Sequence, residues 1–313
     1  MRFNNVFVVI VTYEYPYHRL AELLETFSAQ VRNVLLVDNN VRPDSQGIAQ
    51  IQDRFANCKV IVNEANLGLA KALNLGLERA LTERAEYALL LDQDSRPSPE
   101  MLSRLLNAAR KLEKTQVEVA ALGASVCDHR RSSALPFLRF TRAGLRKFFP
   151  TSADDEPIES DFLITSGCLV RVSSLHEIGM MDETLFIDNV DLEWCFRARA
   201  TGFRLFGVPG AVLYHRLGDR VARIPLVGHE VILHGPPRQY FMTRNRLLLY
   251  RRAYVPLAWK LIDFPRMLFK LLYFSLFVKP RLENLKCMAD GVKDGLRETS
   301  NFFYDESGSC HDS

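Results

Sequence analysis

Two aspartates one residue apart close the run Leu89-Leu90-Leu91-Asp92-Gln93-Asp94, and at the end of an apolar strand they could hold a divalent cation that carries a diphosphate. Hard cations take oxygen ligands, and magnesium is usually held by one or two carboxylates together with substrate phosphates. A pair of acids at a strand end also makes an ordinary solvated turn, so the surroundings decide. Neither GxGxxG nor GxxxxGK[ST] occurs in the chain. The backbone phosphate cradles of those motifs are therefore missing, and a bound diphosphate would need a cation or basic side chains instead. The six cysteines show no CxxC pair or other ligand-like spacing, which disfavours zinc.

The elements around the acids read as an alternation. Residues 6–11 (Val-Phe-Val-Val-Ile-Val) form a β-branched and aromatic run of the kind covered on both faces in a parallel sheet. Pro16 suits a helix first turn, and Leu20, Leu23, Leu24 and Phe27 follow at helical spacing. Strand-like runs recur at 34–37, 60–62, 87–91 and 119–122, with helical patterns near 45–55, 67–84 and 99–114. Repeated β-α-β units predict a doubly wound, mostly parallel α/β sheet with helices on both faces. Ligands collect at the carboxyl ends of such strands. Thr12 and Tyr13, Asp38 and Asn39, Asn66, and Asp92 with Asp94 fall at or just beyond those ends.

Beyond Asp128 the alternation lapses into an irregular connection, basic over 130–147 and acidic over 154–156. Patterning resumes at 162–172, with helices predicted at 173–178 and 191–200 and short strands at 204–207 and 212–214. Between Arg238 and Arg281 ten basic residues face one acid, Asp263, although the whole chain of 313 residues carries only +3. Ten aromatic residues interleave with them, from Tyr240 to Phe277. Such a stretch fits either a helical extension lying on anionic lipid headgroups or a helical subdomain with a solvated basic face. Residues 267–278 are too apolar for a nucleic-acid-tracking face, and the run is too short, and interrupted by Lys270, for a spanning helix. The expected division is a domain over 1–235 and a basic, aromatic helical extension over 236–313. Scattered cysteines, and an N-terminus without the regions of a secretory leader, predict a reducing cytoplasmic setting.

Taken together, Ile10-Val11-Thr12-Tyr13, Val37-Asp38-Asn39, residues 66–76 (Asn-Leu-Gly-Leu-Ala-Lys-Ala-Leu-Asn-Leu-Gly) and Asp92-Gln93-Asp94 resemble family-two glycosyltransferases of the GT-A fold. Later pieces fit as well: Ser166-Gly167-Cys168, residues 186–197 (Phe-Ile-Asp-Asn-Val-Asp-Leu-Glu-Trp-Cys-Phe-Arg), Gly202 and Tyr214-His215. The Phe-Ile-Asp-x-x-Asp-x-Glu-Trp-Cys and His-x-Leu-Gly-Asp segments look most like bacterial rhamnosyltransferases that use a dTDP-sugar.

The resemblance implies roles. Asp38 would accept the imide N–H of a uracil or thymine ring in a pocket shaped by Thr12 and Tyr13. Asn66 and Gly68 would sit at the start of the third helix with Lys71 near the nucleotide, and Asn66 also reads as a plain N-cap. Asp92 would meet ribose or metal, and Asp94 and His215 would ligate a Mg2+ or Mn2+ ion, neutral imidazole being a competent ligand. Asp191 stands where the family's base-bearing acid stands, Glu193 is the acid two residues later, and Asp188 competes with Asp191. All three also read as acids favoured by a helix N-terminus. Trp194 reads as core or as an acceptor-pocket wall, and Arg244, Asn245 and Arg246 as diphosphate contacts or a solvated basic helix. The implied activity is inverting transfer of L-rhamnose from dTDP-L-rhamnose to a lipid-linked surface polysaccharide, at the inner face of the plasma membrane and without nucleic acid. The rivals are a UDP-hexose donor, a nucleotidylyltransferase, for which residues 12–17 lack the glycine-rich loop, and a non-catalytic membrane-associated scaffold that keeps the sugar-nucleotide fold.

Overall fold

The computed structural model describes residues 2–63, 65–128, 134–151, 156–215, 220–223, 230–297, 302–304 and 310–312, with 220–223, 230–233, 302–304 and 310–312 described by backbone alone. Contacts divide the chain into two units, one of Met1–Arg139, Leu145–Phe186 and Val190–His215, the other of Phe140–Gly144, Ile187–Asn189 and Arg216–Ser313. The division falls after His215, earlier than the 235/236 boundary read from composition, and the second unit also takes in two short upstream segments.

In the first unit the strands are β1 (Phe3–Thr12), β2 (Val31–Asp38), β3 (Cys58–Val62), β4 (Tyr87–Asp92), β5 (Arg96–Pro97) and β6 (Val119–Cys127). Helices α1 (Ala21–Ser28), α2 (Ser45–Arg54), α3 (Gly68–Thr82) and α4 (Met101–Glu113) alternate with them. A hairpin follows, β7 (Phe137–Thr141) and β8 (Gly144–Phe148), then β9 (Ile158–Ser160), β10 (Cys168–Arg171), α5 (Leu175–Ile178), α6 (Val190–Ala200) and β11 (Arg204–Tyr214). The main sheet runs β3-β2-β1-β4-β10-β6-β11-β5, with β9 also on β11. Neighbours among β1 to β4 are parallel, as are β6 and β11, whereas β10 lies antiparallel to both β4 and β6.

The stretch 130–147, read as irregular, supplies the β7–β8 hairpin, while 129–133 and 152–155 lie outside the described residues. The two short strands expected at 204–207 and 212–214 are one strand, β11, whose register shifts between Val208 and Val212 around Pro209-Gly210. A proline there removes one ladder donor, so the strand bulges without ending.

The continuous apolar run of β1 is explained by cover on both faces. Val8 and Ile10 share a core with Leu24 of α1 and Leu102 and Leu105 of α4. Val9 points the other way, towards Gly76 of α3, where a Cβ would come within 2.3 Å of the valine's Cγ1. Each fully buried side chain of this size contributes about 1.5–3 kcal/mol relative to exposure. Gly76→Leu would break that seam by overpacking.

In the second unit α7 (Pro236–Arg251) starts on prolines at its first turn and packs against α9 (Arg281–Arg297), with α8 (Leu257–Phe277) between them in the chain. Small residues permit close approach of α7 and α9: a Cβ on Gly291 would stand 2.6 Å from the Tyr240 carbonyl. Trp259, Asp263, Met267 and Phe274 form the buried side of α8. Several of the basic residues read as a solvated or lipid-facing surface turn inward. Arg246 donates to buried Asp263 at 3.0 Å, Arg244 and Asn245 are buried, and Arg238 pairs with Asp188. Among the described residues no helix is long and apolar enough to cross a membrane. Lys260, Asp263, Arg266 and Lys270 interrupt α8.

Candidate active site

β4 delivers Asp92, and a tight turn brings the chain back, with the Ser95 N–H donating to the Asp92 carbonyl at 3.1 Å. Ser166 holds this turn from beneath: its Oγ accepts the Asp92 N–H at 3.3 Å and bonds Ser95 Oγ. Two residues beyond Asp94 the two-residue strand β5 pairs antiparallel with the end of β11, Tyr214 opposite Arg96. That pairing carries His215 onto the turn. Its Nδ1 lies 3.4 Å from Asp94 Oδ1 and its Nε2 3.6 Å from Asp92 Oδ2.

One ligand atom from each of Asp92, Asp94 and His215 falls within 4.8 Å of the others. Ligands about 2.1 Å from one ion stand some 3–4 Å apart, so the spacing suits a shared cation. His215 is only 8% exposed, and its buried Nδ1 makes no hydrogen bond among the described residues. A buried polar atom left unbonded is costly, and coordination would remove that cost. Two carboxylates and one imidazole match a magnesium- or manganese-class ion better than a thiophilic metal. Nearby Tyr15, unnoticed in the sequence, has its phenol pKa raised by burial and then by the charge of Asp94.

Gln93, between the two aspartates, was not singled out in the sequence either, yet it joins two loops. Its Oε1 accepts the Tyr13 N–H at 2.7 Å and its Nε2 donates to the Tyr13 carbonyl at 3.0 Å, so it clamps the backbone beyond β1 from both sides. Thr12 is buried, its hydroxyl 3.5 Å from Asp38 Oδ1. Asp38 is fully buried, accepting the Asn40 N–H at 3.1 Å, Asn40 Nδ2 at 2.6 Å and the Tyr17 hydroxyl. Burial, reinforced by Asp38, raises the Tyr17 phenol far above its ordinary range.

Asparagines join the ends of β2 and β3 to α3. Asn39 donates to Asn66 Oδ1 at 2.8 Å and accepts the Leu67 N–H at 3.0 Å, Asn63 donates to Asn39 at 3.0 Å, and Asn66 Oδ1 accepts the Gly68 N–H at 3.0 Å. Gly68 is required here, since its φ is +81° and a Cβ would sit 2.5 Å from the Phe186 ring. Lys71, expected beside the nucleotide, instead pairs with Glu183 at 3.1 Å in a half-exposed ion pair.

The acids before and within α6 have three different surroundings. Glu193, expected in the catalytic set, is fully buried and meets Arg197 at two atoms, 2.8 and 2.9 Å. Arg197 also donates to the Ile178 and Met180 carbonyls, so this pair ties α6 to the end of α5 and the segment after it. Trp194 is buried, its Nε1 donating to the Gly179 carbonyl at 3.0 Å, which makes it core. Asp188 is gripped by Arg238 at 3.1 and 2.9 Å. Asp191, in the first turn of α6, is partly exposed and accepts the Leu192 N–H at 2.8 Å. Its charge is felt at Cys168, whose thiol is pushed up to about 12 by burial first and by Asp191 second. Cys168 pairs with Leu90, two residues before Asp92. Arg244 and Asn245 are buried within the helical unit, and Arg246 donates to Asp263 there. The Leu217-Gly218-Asp219 part of the His-x-Leu-Gly-Asp segment lies outside the described residues.

The family model described as Glycosyl transferase family 2 matches residues 7–179. The chain is a family 2 glycosyltransferase. It is 30% identical over 300 residues to the dTDP-rhamnosyl transferase RfbF of Shigella flexneri, across 94% of this chain and 96% of that one. It is 27% identical over 283 residues to an N-acetylglucosaminyl-diphospho-decaprenol L-rhamnosyltransferase of Mycobacterium tuberculosis, 81% of this chain and 88% of the relative. Among solved structures, GalNAc-T7 with UDP, GalNAc and Mn2+ superposes with a TM-score of 0.55 at 15% identity, covering 94% of this glycosyltransferase and 56% of the other chain. The glycosyltransferase spans just over half the length of that neighbour, and the likeness is one of fold: both are GT-A proteins.

Proposed function

We propose that this glycosyltransferase moves an L-rhamnosyl group from dTDP-L-rhamnose, with inversion at the anomeric carbon, to a lipid-linked saccharide. The reading is carried by the cluster of Asp92, Asp94 and His215 on a chain that aligns over almost its whole length with a dTDP-rhamnosyl transferase. Asp92, Asp94 and His215 would hold a Mg2+ or Mn2+ ion, which when bound supplies positive charge opposite the departing diphosphate. Thr12, Tyr13, Asp38, Asn66 and Gly68 shape the nucleotide side. Lys71 would add positive charge there only by leaving Glu183.

Asp191 is the proton acceptor. The acceptor hydroxyl oxygen attacks the anomeric carbon, its proton passes to the Asp191 carboxylate, and the bond from that carbon to the diphosphate oxygen breaks on the opposite side. A single carboxylate suffices, because no covalent sugar intermediate forms. Asp188 is the weaker choice, since protonating it would give up a two-point pair with a guanidinium.

The lipid-linked acceptor and a peripheral place at the inner membrane surface draw support from α8. Opposite its buried side it exposes Leu257 (68%), Leu261, Phe264, Leu268, Phe269, Leu272 (64%) and Leu276. Exposed Arg266, Lys279 and Arg281 accompany this stripe, and the one acid between 238 and 281, Asp263, is buried. An apolar stripe accompanied only by positive charge suits anionic headgroups, and it disfavours self-pairing, which would set cation against cation.

The deciding experiment measures sugar-nucleotide hydrolysis with Mn2+ across a donor panel, water standing in for the acceptor. Release of dTDP from dTDP-L-rhamnose should exceed release of UDP from UDP-glucose; the reverse order rejects the donor. Vesicles containing phosphatidylglycerol should bind the protein, and Leu261→Glu with Leu272→Glu should abolish that binding. Equal binding by the variant would remove the membrane reading.

A further inference from the structure

The segment that leads into α6 is strained. Phe186, Asp188 and Asn189 have φ of 61°, 64° and 60°, and none is glycine. L-residues seldom adopt this conformation, and a run of them persists only where the surroundings over-determine it. Within the second unit α7 supplies that restraint. Arg238 donates from Nε and Nη2 to both Asp188 oxygens at 3.1 and 2.9 Å. Asn245 donates from Nδ2 to the Ile187 and Asp188 carbonyls at 2.8 and 2.9 Å, and it is fully buried. Seven residues apart on one helix, the two side chains lie two turns apart on one face. They grip one side chain and two consecutive carbonyls of the same short segment, and after Asn189 the chain enters α6, with Asp191 in its first turn.

We propose that Asp188, Arg238 and Asn245 are positioning residues: they hold residues 187–189 in the strained path from which α6 begins, and so fix where the Asp191 carboxylate stands. The proposal rests on Asp191 as the proton acceptor. Asp188 then has a use of its own, as an anchor and not as a second base.

The test is Asp188→Asn. Asparagine tolerates positive φ better than other non-glycine residues, so this change removes the charge and leaves the backbone path open. With dTDP-L-rhamnose and Mn2+, kcat for dTDP release should fall by about 10–100-fold, since a misplacement of about 1 Å can cost about 10²-fold. The donor KM should stay unchanged, and the acidic limb of the kcat–pH profile should stay where the unaltered protein has it. Arg238→Gln should lower kcat by a similar factor, the double variant should be no worse than either single one, and Arg238→Lys, a point donor in place of a fork, should fall between. Independently of turnover, hydrogen exchange of the amides of 187–193 should quicken in Asp188→Asn.

Loss of both turnover and the acidic limb in Asp188→Asn would make Asp188 the base and overturn the proposal. Unchanged kcat and unchanged exchange would overturn it as well, as would a raised donor KM or strict additivity in the double variant. Turnover that survives in Asp191→Asn would instead defeat the base assignment, whatever Asp188→Asn does.

Discussion

The glycosyltransferase carries two groups of acids that look alike as text and differ in what faces them. In the turn after β4, Asp92 and Asp94 stand 3.4–3.6 Å from the nitrogens of one imidazole, too far for good hydrogen bonds and well spaced for a shared ion. Around the start of α6, Asp188 and Glu193 each meet a guanidinium at two atoms, one from Arg238 and one from Arg197. An arginine fork makes strong, directional bonds to both oxygens of a carboxylate, whereas an imidazole at this spacing is placed to share a cation with it. Asp191, between these two acids in the chain, is partly exposed and accepts the Leu192 N–H, and it is the proton acceptor in the function proposed above.

The comparison breaks if an acid that meets a guanidinium at two atoms proves chemically essential, or if Asp191 proves dispensable. The largest expected effect is from Asp191→Asn, which should lower turnover by about 10²–10⁴-fold, the usual worth of a general base, while dTDP still binds by calorimetry. Glu193→Ala should act on stability instead. Removing the buried carboxylate from Arg197, which is about one-fifth exposed and keeps the Ile178 and Met180 carbonyls, should cost about 1–3 kcal/mol, read as a lowered denaturation midpoint, and any soluble protein should keep its donor KM. His215→Ala should weaken Mn2+ binding by about 10–100-fold, and Asp94→Ala at least as much, measured by calorimetry with and without dTDP. Unchanged affinity in His215→Ala would remove the imidazole from the site.

The smallest effect sharpens the rule from the side of a cation. Lys270 of α8 is pushed down to about 8 by burial first and by Arg246 second, and the nearby Asp263 already accepts from Arg246 and Tyr250. Because its folded-state value lies below the ordinary lysine value, the unfolded chain holds more protons between about pH 8 and 10.4. Stability should therefore rise with pH through that window. Lys270→Met should raise the melting temperature at pH 7, with the gain over the unaltered protein shrinking as pH approaches 10; a gain independent of pH would assign the effect to packing.

Legibility followed the range of the interaction. The β-α alternation, the strand ends at Thr12, Asp38 and Asp92, and α3 and α4 could be read from local periodicity, because a parallel strand must be apolar on both faces wherever its partners lie. The antiparallel β10 and the joining of 204–207 to 212–214 could not, since pairing direction depends on distant neighbours. Gln93 clamps a backbone 80 residues away and Arg238 an acid 50 residues away. No spacing rule reaches that far. The count of basic residues from 238 to 281 likewise misread Arg238, Arg244 and Arg246, because composition does not say which way a side chain turns.

By itself the sequence determined the kind of protein this is: the order of strands and helices, the acids and the histidine available to a cation, and the motifs shared with family 2 glycosyltransferases. The tertiary structure alone decided which groups face each of those acids. A carboxylate's chemistry depends on the groups within about 4 Å of it, and for Asp92, Asp94 and Asp188 the facing group comes from a part of the chain that only folding brings near.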